Sequence, residues 1–124
     1  MDFPSDFNSF WHAQVIPGKP CKITVKPNSD CSISNIALHQ NEDQTFPQGA
    51  RTILYVSVND GEPIAIAPFT VGQFESTCVD IRFTDTDNIV LTIKGAEIAI
   101  DVVGNALGEL PLIDNGVPTP QDEQ

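Results

Sequence analysis

Positive charge is scarce in this chain. Six Lys and Arg stand against seventeen Asp and Glu in 124 residues, a formal net charge of −11 at neutral pH. Proteins that grip nucleic acid use Lys and Arg to displace counterions from phosphate. Direct nucleic-acid binding is therefore not expected, whereas a basic protein partner is compatible with the charge. Acidity also serves plain solubility, so charge alone does not decide between the two. Aromatic residues are few as well, with one Trp and one Tyr. No apolar run approaches the roughly eighteen residues of a membrane span. The first ten residues, MDFPSDFNSF, hold neither a basic n-region nor an apolar h-region, so no secretory signal is read. Cysteine is limited to Cys21, Cys31 and Cys78, an odd number without C-x-x-C spacing. That spacing supplies neither a disulfide framework nor a zinc site. Each lies among strand-forming neighbours, and buried, unpaired thiols in a reducing compartment are expected.

What the chain does contain is strand signal. Cys21, Ile23 and Val25 alternate with Lys22, Thr24 and Lys26, the period of a half-buried strand. Pro17-Gly18 precedes that run and Pro27-Asn28-Ser29-Asp30 follows it, both turn chemistry. Cys31, Ile33 and then Ile36-Ala37-Leu38 mark a third strand. After the polar stretch HQNEDQTFPQGA, RTILYVSVN resumes, with Leu54, Val56 and Val58 on one face and Ile53 and Tyr55 on the other. Asn59-Asp60-Gly61-Glu62 reads as a hairpin turn, with Pro63 to Phe69 pairing back. CVDIRF alternates, and IVLTIK with EIAIDVV reads as a final hairpin around Lys94-Gly95-Ala96. About eight short strands with turns between them predict an all-β sandwich or barrel. The expected divisions are an N-terminal extension over 1–9, a β domain over 10–108, and an acidic, Pro-rich strap and disordered tail over 109–124.

Catalytic constellations are not found. His12 and His39 stand apart in sequence and outside any H-x-x-H or H-E-x-x-H pattern, and each reads as a surface or strand-end residue. No Gly-x-Ser-x-Gly elbow or phosphate-cradling glycine loop is present. Asp85-Thr86-Asp87-Asn88 offers hard oxygen ligands but lacks the glycine and distant glutamate of a calcium loop, so it reads as a β-turn. No enzyme, cofactor or metal is predicted. The acids group modestly: Glu42 with Asp43 mid-chain, Asp85 with Asp87 in one turn, and Asp114, Asp122 and Glu123 at or near the tail.

The stretch FWHAQVIPGKPCKITV carries a resemblance. Its aromatic pair Phe10-Trp11 and its Gly18-Lys19-Pro20 turn, followed by CSISNIALH and by the run from Ile64 to Phe83, resemble the nucleoplasmin-like domains over roughly residues 7–108. His12 and His39 stand where that family usually has glycine, and the mid-chain loop is only lightly acidic. The family includes nucleoplasmin-type histone chaperones and the N-terminal domains of nuclear FK506-binding prolyl isomerases and plant histone deacetylase-like proteins. The resemblance implies an eight-stranded jelly roll assembling as a ring. The ring would be a homo-pentamer, with a stacked decamer as an alternative. It implies core histones as partners, either the pair of histones 2A and 2B or the pair of histones 3 and 4. It implies a nuclear location that includes the nucleolus, and no contact with membrane or directly with nucleic acid. A prolyl isomerase domain, in a longer protein, would follow Gln124. Glu42, Asp43, Asp85, Asp87, Asp114, Asp122 and Glu123 become histone-binding candidates. Phe10, Trp11, Pro20, Tyr55, Phe69, Phe74, Ile81 and Phe83 become core or interface candidates. The alternative reading is a structural module that multimerises an attached domain without touching histones.

Overall fold

The alternating runs form nine strands in a computed structural model that describes residues 8–39 and 46–114. They are β1 (Asn8–Val15), β2 (Cys21–Thr24), β3 (Asp30–Leu38), β4 (Arg51–Val58), β5 (Ile64–Thr70), β6 (Ser76–Phe83), β7 (Asn88–Gly95), β8 (Ile100–Leu107) and β9 (Leu112–Asp114). One sheet has the order β1-β8-β3-β6 and the other β5-β4-β7-β2-β9, with every pairing antiparallel. The two sheets face each other as a jelly-roll sandwich. Their inner faces supply one core that includes Trp11, Ile23, Ile33, Ile36, Leu54, Phe69, Leu91 and Ile100.

The strand period of two decides which residues enter that core. Trp11 and Phe10 are adjacent, so they point to opposite faces. Trp11 is 5% exposed and Phe10 77%. The indole lies over Gly104, its register partner on β8, and Nε1 donates to the carbonyl of Asn105 at 3.1 Å. A Cβ on Gly104 would collide with the Ser32 carbonyl oxygen and sit 2.6 Å from the ring carbons of Trp11, so the β3 backbone and the tryptophan together require glycine there. In β3 the simple period would expose either Ile33 or Ile36. A register shift between Ile33 and Asn35 inserts an extra residue, and both isoleucines are buried.

Three expectations are corrected. Among the described residues the strands number nine, because the strap adds β9 against β2. IVLTIK and EIAIDVV do not form a hairpin. β7 and β8 belong to different sheets, and the chain crosses between them after Gly95, at φ 114°. The crossing is held by Ala96 N–H donating to the Arg51 carbonyl at 2.7 Å and by burial of Ile98. A hairpin would have set the two apolar faces side by side, whereas the sandwich sets them face to face, which buries both. Last, Cys78 is exposed on the outer face of β6, although Cys21 and Cys31 are buried and all three thiols are free. Burial pushes the thiols of Cys21 and Cys31 up to about 11.

Candidate functional site

Turns from four separate connections meet at one end of the sandwich. The register places the end of β2, the start of β3, the end of β4, the end of β6, the start of β7 and the end of β8 there. This end carries Asp30, Asp60, Glu62, Asp85, Asp87 and Glu109, and among the described residues its basic side chains are Lys26 and Arg82. All of these acids except half-buried Asp87 are exposed. The opposite end carries Lys19, Arg51 and Lys94 against Glu75, Glu97 and Asp101 among the described residues.

Two of the acidic turns are fastened to one another. Asn59 and Asp60 adopt φ of 50° and 65°, the left-handed pair of a type I′ hairpin turn, closed by Gly61 N–H to the Val58 carbonyl at 2.9 Å. In the neighbouring turn Asp87 N–H donates to the Thr84 carbonyl at 3.0 Å, and Thr84 N–H donates back to Asp87 Oδ2 at 2.9 Å. The side chains then cross between turns. Asn59 Nδ2 donates to Asp87 Oδ1 at 2.9 Å, Asn88 N–H donates to Asn59 Oδ1 at 2.8 Å, and Asn59 N–H donates to the Asn88 carbonyl at 2.7 Å. The bond from the Thr84 backbone, with those from the Asn59 amide and the Thr84 hydroxyl, holds the Asp87 carboxyl below the usual carboxylate range. Thr86 sits at φ 64°, a strained place for a β-branched residue.

The predicted acidic residues therefore separate by role. Asp85 projects into solvent from its turn, while Asp87 spends its carboxylate on scaffold bonds. Asp114 lies at the far end of β9, opposite Lys22, away from this cluster. Glu42, Asp43, Asp122 and Glu123 lie outside the described residues. Reading neighbours in sequence missed Asp30, Asp60, Glu62 and Glu109, which converge only through topology. Of the aromatic and apolar candidates, Trp11, Phe69 and Phe83 are buried, Tyr55 and Ile81 half-buried, and Phe10, Pro20 and Phe74 exposed. Phe74 stacks on Phe69 with centroids 5.9 Å apart. Lys94 Nζ stands 5.2 Å from the centre of the Tyr55 ring, a cation–π distance.

A second feature missed in sequence lies on the outer face of the four-stranded sheet. Both histidines of the chain approach one carboxylate. His39 Nδ1 is 2.9 Å from Asp101 Oδ2, His12 Nε2 is 3.7 Å from Oδ1, and Gln14 Nε2 donates to Oδ1 at 3.5 Å. Among the described residues no three His, Cys, Asp or Glu side chains are grouped to hold a metal ion. No helix among them is long and apolar enough to cross a membrane.

A family model of the nucleoplasmin-like domain matches residues 10–107. The chain belongs to the nucleoplasmin-like family. Among solved structures, the core of Drosophila NLP superposes with a TM-score of 0.66 at 14% identity, covering 78% of this chain and 96% of that one. That structure is described as giving insight into pentamer formation and histone binding. The nucleoplasmin-like N-terminal domain of Drosophila FKBP39 superposes with a TM-score of 0.59 at 21% identity, covering 93% of this chain and all of the other. No curated protein sequence matches this chain significantly. At these identities the two structures speak to the fold. The acidic end of this nucleoplasmin-like domain stands on its own residues.

Proposed function

We propose that this nucleoplasmin-like domain is a histone-binding module of the chaperone type, working as a ring of identical copies in the nucleus. The observation that carries the reading is the acidic end, where six carboxylates outnumber Lys26 and Arg82 and two of the turns that bear them are tied together by Asn59 and Asp87. Rotational symmetry would repeat that end around one face of the ring and multiply a modest charge into a broad negative field. Such a field suits a basic partner and speeds its capture. A pentamer is the favoured ring, as pentamer formation and histone binding are the properties named for the Drosophila NLP core. A stacked decamer, a preference for one core histone pair over the other, and nucleolar residence are finer choices within this reading. The acidic strap and tail add charge from 109–124 as an extension of the domain over 10–108, with 1–9 preceding it.

The test is light scattering of the purified domain alone, then titration with core histones across a salt series. A pentamer-sized particle whose histone affinity falls steeply with salt is the expected result. An intact ring that ignores histones even at low salt would transfer the proposal to a bare oligomerisation module.

A further inference from the structure

Among the described strands, the two edges of the four-stranded sheet match one another. β1 and β6 are its outermost strands, and each is eight residues long. Neither contains proline. Exposed edges of this length invite pairing unless they are blunted by proline, bulges or shortness. The five-stranded sheet differs. Its β5 edge contains Pro68 and a register shift at Leu54/Tyr55, and its β9 edge has three residues.

Direction agrees as well. Within the sheet β1 is antiparallel to β8, β8 to β3, and β3 to β6. With four alternating strands, β6 runs opposite to β1. Rotation about an axis parallel to the strands keeps each strand's direction. A neighbour's β1 placed beside β6 therefore continues the antiparallel alternation. Height agrees too. Across the sheet His12 aligns through Val103 and Asn35 with Cys78, Phe10 through Asn105 and Ser32 with Arg82, and Gln14 through Asp101 and Ala37 with Ser76. Phe10, His12, Cys78 and Arg82 are exposed and all lie on the outer face. Where the two edges meet at equal height, the exposed Phe10 ring lies beside the neighbour's Arg82, whose guanidinium also holds Asp80 at 3.2 Å, a cation–π arrangement.

We propose that copies of this chain join head to tail through β1 of one and β6 of the next, making the four-stranded sheets one continuous antiparallel sheet around the ring. The contact is heterologous, as ring closure requires. It rests on the ring reading above and specifies which surfaces form it.

Native Cys78 supplies the test, since Cys21 and Cys31 are buried. Phe10→Cys, His12→Cys and Gln14→Cys are each made in the full chain. They are oxidised mildly with copper phenanthroline and run on a non-reducing gel beside Lys22→Cys, which lies on the five-stranded sheet. Three positions are scanned because closed sheets are staggered. Directly opposed residues bring Cβ atoms to about 4.5–5.5 Å, so at least one of the three should give about ten-fold more covalent dimer and higher ladder than Lys22→Cys. Adding Cys78→Ser should abolish it. Light scattering on the same samples separates the two ways of failing. A single-chain particle removes the ring and this pairing with it. A full-sized ring in which none of the three joins Cys78 overturns the pairing alone.

Discussion

The two ends of the sandwich are built from the same strands but not to the same plan. At one end the β4–β5 and β6–β7 turns are tight, cross-bonded through Asn59, Asp87 and Asn88, and dressed with carboxylates. At the other, Lys19, Arg51 and Lys94 balance Glu75, Glu97 and Asp101 among the described residues, and Glu75 is engaged by the Gly72 N–H at 2.7 Å. Carboxylates repel one another when gathered, so an end that gathers them needs rigid turns to hold them. The acidic end has that rigidity and carries strain at Thr86. Unfavourable local choices of this kind concentrate where a surface is used.

The largest expected effect erases the difference altogether. Trp11→Ala empties a buried indole site beneath Gly104 and removes the Nε1 bond to Asn105. A cost of about 3–5 kcal/mol is expected for a buried tryptophan. Chemical denaturation should show a lower midpoint, with both ends loosened together in hydrogen exchange. A change confined to one end would mean that the core does not couple them.

Asp87→Ala should act on the acidic end alone. Removing an acceptor of several hydrogen bonds costs about 1–2 kcal/mol. The pH dependence has a definite sign. The folded Asp87 carboxyl is held below its ordinary value, so its stabilisation is present above the unfolded value of about 3.9 and is lost as pH falls through the lower folded value. The stability gap between wild type and variant, measured by denaturation at pH 7 and stepwise below pH 4, should therefore shrink with acid. Amides of Asn59 and Asn88 should exchange faster in the variant, and those near Ala96 at the far end should not.

How much of this was legible beforehand follows from what alternation encodes. Period-two runs identified the faces of β2, β4 and β6, and Asn59-Asp60-Gly61 identified its own hairpin. Lys94-Gly95-Ala96 looks the same as a hairpin turn because a tight reversal and a crossing between sheets both use glycine. Which sheet a strand joins depends on distant partners, not on the turn. Phe10 and Trp11 read as one aromatic pair, yet neighbours on a strand cannot share a face. The acidic end was half visible. Asp85 and Asp87 share one turn in the sequence, but Asp30, Asp60, Glu62 and Glu109 come together only once the strands are placed.

A charge exchange sharpens the comparison next. The triple variant Asp60→Asn, Glu62→Gln, Asp85→Asn leaves the Asn59–Asp87 bonds in place and removes three exposed charges. Exposed charges each contribute a few tenths of a kcal/mol to about 1 kcal/mol, so histone affinity at low salt should drop several-fold. Glu97→Gln, at the other end, should leave affinity unchanged. A loss from Glu97→Gln as large, per charge removed, as that of the triple variant would show that net charge alone governs binding.

The smallest expected effect belongs to the tail. Asp122→Asn with Glu123→Gln removes two charges from the chain beyond Asp114, where β9 ends at the height of Lys22. β9 runs antiparallel to β2, from Leu112 beside Thr24 to Asp114 beside Lys22. Along its three residues it therefore runs away from the acidic end. At ~0.15 M salt the Debye length is about 8 Å, so charges count only when they lie close to the partner. Two carboxylates outside the acidic turns should contribute less than three held within them. The double variant should reduce histone affinity less than two-fold at 0.15 M salt and somewhat more at low salt, where screening weakens. The ring should keep its size in light scattering. A double variant that loses as much affinity as the turn-end triple would place the principal contact on the tail, and the contrast between the ends would then describe folding and not binding.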